Sequence, residues 1–206
     1  MDATGRSELL LVVSGPSGVG KGTVCRELIA RHPEVRLSVS ATTRSKRAGE
    51  EEGVSYFFVT KEKFESMIEQ NELIEYAKLF NNNYYGTPRS FVEREIAAGH
   101  DIVLEIDYHG ALNVKKTYPE AVLIFVAPPE LSALKERLLA RHSESAASME
   151  ERLGIALEEI SKVKLYDYVV VNDSVEKAVA CFEAILSAEK HRVCRNLNLL
   201  DTFKEV

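Results

Sequence analysis

Residues 9–23 read LLLVVSGPSGVGKGT, and this stretch decides the fold. Its first five residues, Leu9 to Val13, are apolar and predict one buried β-strand. Ser14 and Gly15 end the apolar run, further glycines follow at positions 18 and 20, and a helical pattern begins at Gly22. Strand, glycine loop and helix in this order match the G-x-x-x-x-G-K signature of a phosphate-binding loop. We therefore expect backbone N–H groups to surround the phosphates of a nucleoside triphosphate, at the positive end of the helix.

The residues expected to contact the triphosphate form one continuous segment. They are Gly15, Pro16, Ser17, Gly18, Val19, Gly20, Lys21, Gly22 and Thr23. Lys21 supplies a mobile cation for the outer phosphates. The next residue is Gly22, whereas GTPases and ATPases of this class place there the Ser or Thr that ligates Mg²⁺. This difference favours a small-molecule kinase over a switch GTPase, with water completing the metal shell and Thr23 as a candidate ligand.

Composition indicates a soluble protein of one domain. The chain has 206 residues, of which 45% are hydrophobic and 28% charged, and it carries a net charge of −6. This acidic balance argues against nucleic acid as the principal partner. No apolar run approaches the ~18 residues of a membrane span, and the first residues do not resemble a secretory signal. The three cysteines, Cys25, Cys181 and Cys194, lack metal-type spacing and indicate reduced thiols in the cytoplasm.

The rest of the chain alternates predicted strands and helices. Strands near residues 9, 36, 101, 121 and 167 alternate with helices, which predicts an α/β fold with a doubly wound parallel sheet. The predicted strands 36–41, 54–59, 73–80 and 84–87 follow one another closely. They indicate a small mixed sheet inserted into the α/β core.

A cationic segment follows the second predicted strand. Arg44 and Arg47 lie three residues apart, and guanidinium groups suit bidentate recognition of phosphate. An exposed basic loop balanced by residues 50–52 is the alternative, but the neighbouring phosphate loop favours a second anion site. Tyr56 and Tyr85 could add hydroxyl groups to that site, although aromatic strand residues usually pack in a core.

Glu75 lies within an otherwise apolar predicted strand. Either it faces solvent, or it lies in a base-sized pocket beside Tyr85 and Thr87, which follow across a hairpin. A carboxylate in such a pocket could accept the N1–H and the exocyclic amine of guanine. Adenine lacks that amine and has a lone pair at N1, so it would leave the acid unpaired.

Glu105 and Asp107 end the predicted strand 101–107. Their spacing of two places both on one face, at the sheet edge where open α/β folds bind ligands. Glu105 is therefore a candidate for the shell of Mg²⁺, with a structural role as an equal alternative. Asp107 is expected on the substrate side, with capping of the next helix as its alternative.

Three arginines surround a polar segment, residues 142–148. Arg137 and Arg141 share one face of a predicted helix, and Arg152 follows the polar segment. This pattern predicts a lid that brings cations to a transferring phosphoryl group, although helix arginines are more often solvated. The five histidines form no catalytic pattern.

Taken together, these motifs resemble the guanylate kinase family, from Leu9 to Leu186. The matching segments are GPSGVGKGT (15–23), SVSATTRSKRAGEEEGVSYFF (38–58), LIEYAKLF (73–80), NYYGT (83–87), LEIDYHGA (104–111), APPELSALKERLLAR (127–141) and YDYVVVND (166–173). The resemblance implies Mg·ATP-dependent phosphorylation of GMP and dGMP in purine metabolism. It also implies a single domain with a core (1–37, 89–137 and 153–206), a GMP-binding insertion (about 38–88) and a lid (about 138–152).

Site residues follow from the resemblance, position by position. The GMP phosphate would contact Arg44, Arg47, Tyr56 and Tyr85. The guanine would contact Ser40, Glu75, Thr87 and Asp107. ATP would lie on residues 15–23, with Asn172 near its adenine side and Arg137, Arg141 and Arg152 closing over it. Mg²⁺ would be held by phosphates and water, with Thr23 and Glu105 as candidate ligands from the reasoning above. The expected catalytic cations are Lys21, Arg44, Arg137, Arg141 and Arg152.

The chain departs from the family pattern at two places. The family usually reads F-G-N-Y-Y, whereas here Phe80 precedes three asparagines, which makes the hairpin one residue longer. Beyond Arg141, His142 stands where many members have glycine. Two rival functions are a non-catalytic guanylate-kinase-like interaction module and a kinase of sugar phosphates. The intact phosphate loop opposes the first, and Glu75 with Ser40 and Thr87 opposes the second.

Overall fold

A computed structural model describes residues 8–78, 82–139 and 146–197, with the backbone alone for residues 146–151. In chain order its strands are β1 (Leu10–Ser14), β2 (Val35–Leu37), β3 (Ala41–Thr42), β4 (Phe57–Phe58), β5 (Leu73–Lys78), β6 (Tyr84–Pro88), β7 (Asp101–Glu105), β8 (Val122–Ala127) and β9 (Tyr168–Val171). The α-helices are α1 (Lys21–Arg31), α2 (Lys61–Glu69), α3 (Arg89–Ala97), α4 (Tyr108–Thr117), α5 (Leu131–Leu139), α6 (Ala146–Ser161) and α7 (Val175–Lys190).

Five parallel strands form the central sheet, in the order β2-β7-β1-β8-β9. All residues of β1 are buried, because helices cover both faces of the sheet. Leu11 and Val13 pack on the side of α1 and α7, whereas Leu10 and Val12 pack on the side of α3 and α4. Alternate residues of the apolar run thus pack into the hydrophobic cores on the two faces of the sheet. The predicted doubly wound parallel sheet is confirmed.

A second sheet of four short strands has the order β4-β3-β6-β5. Strand β3 is parallel to β4 and antiparallel to β6, and β6 is antiparallel to β5, so the sheet is mixed, as predicted. Phe64 and Met67 of α2 pack with Ala41 and Leu73 beneath it. The second sheet therefore has a small hydrophobic core of its own.

The prediction of one strand over residues 36–41 is wrong. Residues 35–37 pair with β7 in the central sheet, and residues 41–42 pair with β6 in the second sheet. The N–H of Ser38 still bonds to the carbonyl of Val103 at 2.9 Å, and the chain then crosses between the sheets. The alternating pattern is compatible with either sheet, so it cannot locate the crossover.

Three other predicted boundaries also differ from the structure. The strand predicted over 54–59 contracts to β4, because residues 51–56 form turns in which the N–H of Gly53 bonds to the carbonyl of Tyr56 at 2.9 Å. Ser14 extends β1 instead of ending it. Strand β7 ends at Glu105, because Asp107 caps α4.

Two predicted features lie partly or wholly outside the described residues. In the lengthened hairpin Asn82 has a φ of +60°, a conformation that asparagine tolerates better than most residues, whereas Phe80 and Asn81 lie outside the description. Arg141 and residues 140–145 of the predicted lid also lie outside it. Among the helices that the structure describes, none combines the length and apolarity needed to cross a membrane.

Candidate active site

The phosphate loop connects β1 to α1 at the carboxyl edge of the central sheet. Gly15 has a φ of +145°, and a Cβ at this position would lie only 2.2 Å from the carbonyl oxygen of Val126. Gly20 has a φ of +99° and caps α1 without a side-chain hydrogen bond. Lys21 donates from Nζ to the carbonyls of Gly15 at 2.5 Å and Pro16 at 3.2 Å. The lysine side chain therefore folds back over the phosphate loop, and it is expected to bind the phosphates that this loop holds.

A polar cavity of about 300 Å³ lies against this loop. Its lining consists of Ser17, Gly18, Gly20, Lys21, Gly22, Thr23, Arg26 and Glu105. A Cβ at Gly22 would lie 3.2 Å from Oε2 of Glu105. Gly22, which departs from the common loop pattern, thus leaves space for the carboxylate of Glu105 beside the expected phosphate site.

The donor set of this cavity fits Mg²⁺ held mainly by phosphates and water. Glu105 supplies one carboxylate, and Thr23 supplies a hydroxyl that accepts a 3.4 Å hydrogen bond from Arg26. Among the described residues, no group of three or more His, Cys, Asp or Glu side chains could hold a metal ion. Mg²⁺ characteristically binds through one or two carboxylates together with substrate phosphates, and one carboxylate meets that requirement.

A larger cavity of about 460 Å³ joins the phosphate loop to the second sheet. Its lining consists of Gly15, Ser17, Lys21, Ser40, Tyr56, Glu75, Ala77, Tyr85, Gly86, Glu105, Ile106, Asp107 and Glu159. Residues predicted for the triphosphate, the metal and the acceptor therefore surround one space. Arg44 lies against Tyr56 of this lining and Thr87 is bonded to Glu75, whereas Arg47 is not among the lining residues.

Arg44 lies next to the two tyrosines predicted for the acceptor phosphate. Its guanidinium carbon lies 5.4 Å from the ring centre of Tyr56, whose ring centre is 6.0 Å from that of Tyr85. Hydrogen bonds to Glu50 and then to Tyr85 raise the pKa of Arg44, so it stays charged. Arg47 is exposed in the same loop. The structure thus places three of the four predicted phosphate contacts together.

Glu75 is buried, and only 6% of its surface is exposed, so the solvent-facing alternative is wrong. Its Oε1 accepts a hydrogen bond from Oγ1 of Thr87 at 2.7 Å. Burial raises the pKa of Glu75 to about 7, and the nearby charge of Asp107 adds to the effect. A buried acid with a raised pKa in a cavity is typical of a binding or catalytic site.

Asp107 caps a helix and also lines the larger cavity, so the structure is compatible with both alternatives for this residue. Its Oδ1 accepts the N–H of Gly110 at 2.8 Å, which caps α4, and the residue also lines the larger cavity. Ser40, from the crossover between the sheets, lines the same cavity. Of the four residues predicted for guanine, Ser40, Glu75 and Asp107 lie on the cavity wall. The fourth, Thr87, is bonded to Glu75.

A third cavity, of about 310 Å³, lies on the other side of the phosphate loop. Its lining consists of Gly20, Thr23, Arg137, Asn172, Asp173, Ser174 and Val175. Asn172 is buried and donates to the carbonyl of Val19 at 2.8 Å. Arg137 donates to the same carbonyl at 3.1 Å and to that of Asn172 at 2.9 Å. Arg152, in α6, lines none of these three cavities.

Sequence reasoning missed Glu159 of α6, which lines the larger cavity. Burial raises its pKa to about 7, Asp107 and Glu158 add to that increase, and Lys21 opposes it. The available signal was its spacing, since Glu159 lies three residues after Ala156 and therefore near the same helix face. Ala156 is buried, so that face turns inward.

Comparison with known proteins gives the same family along nearly the whole chain. The family model described as Guanylate kinase matches residues 7–189. Guanylate kinases from Clostridioides difficile (strain 630) and Symbiobacterium thermophilum are 48% and 50% identical over 198 residues, which cover 96% of this chain and 96% and 93% of theirs. The guanylate kinase of Desulfitobacterium hafniense (strain Y51) is 51% identical over 187 residues, or 91% of this chain and 93% of its own.

Solved structures agree with the sequence comparison. The crystal structure of guanylate kinase from Anaplasma phagocytophilum superposes with a TM-score of 0.80 at 34% identity, covering 97% of this chain and 95% of that one. A shikimate kinase from Bacteroides thetaiotaomicron matches with a TM-score of 0.50 at 14% identity, covering 87% and 98%, and shows the fold alone. The chain therefore belongs to the guanylate kinase family and is a nucleoside monophosphate kinase.

Proposed function

We propose that the protein transfers the γ-phosphoryl group of ATP to GMP, giving ADP and GDP. One observation carries the proposal: Lys21 of the phosphate loop and the buried carboxyl of Glu75 line the same cavity of about 460 Å³. A triphosphate on the loop and a purine at Glu75 would therefore face each other. Since dGMP has the same base and phosphate, we propose it as a second acceptor, and the reaction belongs to purine nucleotide metabolism.

Selectivity for guanine follows from the chemistry of Glu75. When ionised, the carboxylate accepts hydrogen bonds from N1–H and the 2-amino group of guanine. Thr87 donates to Oε1 and orients the group. Adenine offers a lone pair at N1 and no 2-amino group, so a buried carboxylate would remain unpaired against it. Leaving a buried charged group unpaired is costly, and sites of this kind therefore discriminate strongly between ligands. Ser40 and Asp107 complete the proposed guanine site.

The acceptor phosphate lies, in this proposal, between Arg44, Tyr56 and Tyr85, with Arg47 reaching it from the exposed loop. The second pKa of a phosphate monoester is ~6, so GMP is largely dianionic at neutral pH. Its phosphate oxygen is therefore already a nucleophile and requires no general base. The protein has to hold two mutually repelling anions in line and neutralise the charge that develops between them.

Lys21 and the arginines supply that neutralisation. Lys21 would exchange its bonds to the loop carbonyls for phosphate oxygens, and Arg44 would hold the acceptor. Arg137 is bonded to the carbonyl of Val19 in the phosphate loop, which supports a role for its guanidinium in neutralising the triphosphate. Mg²⁺, when bound through the phosphates, water and Glu105, would neutralise charge on the β- and γ-phosphates. The adenine side of ATP is proposed to lie by Asn172.

We also propose which segments of the chain bind GMP and close over ATP, and where in the cell the protein is located. Residues 38–88 form the GMP-binding insertion and residues 138–152 the lid, which excludes water from the transfer. Arg141 and Arg152 of the lid are proposed to close over ATP. A cytoplasmic location is supported by the free thiols of Cys25, Cys181 and Cys194.

A coupled assay with purified protein tests the function. We expect ADP formation from ATP with GMP and with dGMP, and little turnover with AMP, CMP or UMP. Equal turnover with AMP and GMP would refute base reading by Glu75. Absence of turnover with every nucleotide would favour the rival interaction module. Turnover confined to ribose bisphosphates would favour the sugar-phosphate kinase.

A further inference from the structure

Gly110 lies where the first turn of α4 meets the carboxyl of Glu75. The glycine is buried, and its N–H is bonded to Oδ1 of Asp107 at 2.8 Å. A Cβ at this position would lie 2.7 Å from Oε2 and 3.3 Å from Cδ of Glu75, and 3.2 Å from Cδ1 of Ile106. Because a methyl carbon and an oxygen do not approach each other to 2.7 Å, the carboxyl occupies space that any side chain at position 110 would fill.

The backbone does not require glycine at this position. Among the residues that the structure describes, six glycines have positive φ values, but Gly110 is not one of them, and it lies within α4. Alanine is a better helix former than glycine, so the glycine weakens α4 locally. Its structural benefit is therefore the space it leaves for the carboxyl of Glu75.

The carboxyl is the group that a methyl at position 110 would displace. The backbone of α4 is fixed by the Asp107 cap and by Ala111 and Val114, which are fully buried in the core beneath the central sheet. The other oxygen of the Glu75 carboxyl, Oε1, accepts a hydrogen bond from Oγ1 of Thr87 at 2.7 Å. The methyl would therefore push Oε2 away from α4 and change its position on the cavity wall.

We propose that Gly110 is a positioning residue for base recognition, because its bare Cα sets how deeply the Glu75 carboxyl lies at the guanine edge. The inference rests on the proposed function, and in it Gly110 acts on the nucleotide only through Glu75. It also predicts that position 110 controls selectivity without touching the nucleotide.

The test is the Gly110→Ala variant in the full chain. We expect its KM for GMP to rise about tenfold, since a displacement of the carboxyl misaligns two hydrogen bonds. The KM for ATP should not change, and the ratio of GMP to AMP turnover should fall. Gly154→Ala is the matched control, because Gly154 lies in α6 and a Cβ there meets nothing within 4 Å.

A double-mutant cycle with Glu75→Asp separates positioning from general damage. The aspartate is one methylene shorter, so its carboxyl withdraws from the added methyl. We expect Glu75→Asp to raise the KM for GMP less in the Gly110→Ala protein than in the wild type. Additive effects would overturn the proposal. If Gly110→Ala fails to fold, the double variant should fold, and failure of both would show that the methyl meets something other than the carboxyl.

A readout without substrate distinguishes this inference from the proposed function. NMR titration of the Glu75 carboxyl should give a different pKa in Gly110→Ala and an unchanged pKa in Gly154→Ala. An unchanged pKa together with an unchanged KM for GMP would refute the positioning role. A wild-type protein that fails to phosphorylate GMP would refute the proposed function, whereas the titration would still show whether Gly110 positions Glu75.

Discussion

Arg44 and Glu50 form a bidentate ion pair beside the larger cavity. Nη2 and Nη1 of Arg44 donate to the two carboxylate oxygens at 2.6 and 3.0 Å, and the pair is largely shielded, with 13% and 20% of the two side chains exposed. Oε2 of Glu50 also accepts the backbone N–H of Arg47 at 2.8 Å. One carboxylate therefore orients the guanidinium of Arg44 and fixes the turn that carries Arg47.

Glu50→Gln should weaken the binding of the acceptor phosphate. The amide has one acceptor oxygen and no charge, so it loses the bidentate, charge-assisted pairing that orients the guanidinium of Arg44. We expect the KM for GMP to rise about tenfold, because the guanidinium of Arg44 would no longer be oriented toward the acceptor phosphate. The KM for ATP should stay the same. Steady-state kinetics with Glu51→Gln, an exposed neighbour, is the control. If Glu50→Gln and Glu51→Gln had the same KM for GMP, the role of Glu50 in orienting Arg44 would be contradicted.

The sequence indicated the anion site but not the ion pair. Arg44 and Arg47 were predicted from their charge and from the neighbouring phosphate loop, while Glu50 was interpreted only as balancing charge. The pair closes a loop of seven residues, 44–50, whose backbone follows no repeating pattern, so periodicity could not place the two side chains together. The spacing of Glu159 from Ala156 indicates a shared helix face, but only the tertiary packing of α6 shows that this face turns toward the cavity.

Guanosine should bind more tightly as the pH rises through 7. The pKa of Glu75 is raised to about 7 in the free protein, and guanine binds the ionised carboxylate. Affinity should therefore increase about tenfold between pH 6 and pH 8 and level off above that. Guanosine, measured by calorimetry, avoids the titration of the GMP phosphate. The Glu75→Gln protein should bind weakly at all pH values, and a wild-type affinity that does not vary with pH would contradict the prediction.

The same carboxyl should affect stability in the opposite direction. Its pKa rises from 4.5 in the unfolded chain to about 7 in the folded protein, so the folded state binds the extra proton between these values. The Glu75 contribution to stability is present below pH 4.5 and is lost as the pH rises to 7. The loss is on the order of 3 kcal/mol. Between pH 4.5 and pH 8 the free energy of unfolding of Glu75→Gln, measured with urea, should therefore increase by that amount relative to the wild type. A difference between the two proteins that is the same at both pH values would refute the prediction.

The central sheet was predictable because its strands are long enough to carry a pattern. Strand β1 buries both faces and reads as an apolar run, and β7 and β8 read alike. Because these strands alternate with helices, parallel pairing is predicted, whereas their order in the sheet is not. Strands β3 and β4 have two residues each, too few to show alternation. Their position depends on cross-strand partners such as Tyr84, whose carbonyl accepts from Thr42 at 2.9 Å.

Lys21→Ala should abolish transfer without unfolding the protein. The Nζ of Lys21 bonds to two loop carbonyls on the cavity surface, so its loss leaves the core intact. Removing a preorganised cation from the developing charge should reduce kcat by about 10³ or more. Circular dichroism should match the wild type, and Lys61→Ala, an exposed lysine of α2, should keep full activity. Wild-type kcat in Lys21→Ala would show that the lysine does not act on the phosphates.

Arg137→Lys should separate geometry from charge at the third cavity. Two nitrogens of Arg137 donate to two different carbonyls, those of Val19 and Asn172, and the planar fork spans both. A lysine keeps the charge but presents one ammonium on a flexible stem, so it cannot reproduce this arrangement. We expect the KM for ATP to rise and kcat to fall about tenfold or more, with the KM for GMP nearly constant. Arg94→Lys, on the exposed surface of α3, is the matched control. If Arg137→Lys retained wild-type kinetics while Arg137→Ala lost activity, charge alone would explain the role of the residue, and the two carbonyl contacts would be incidental to catalysis.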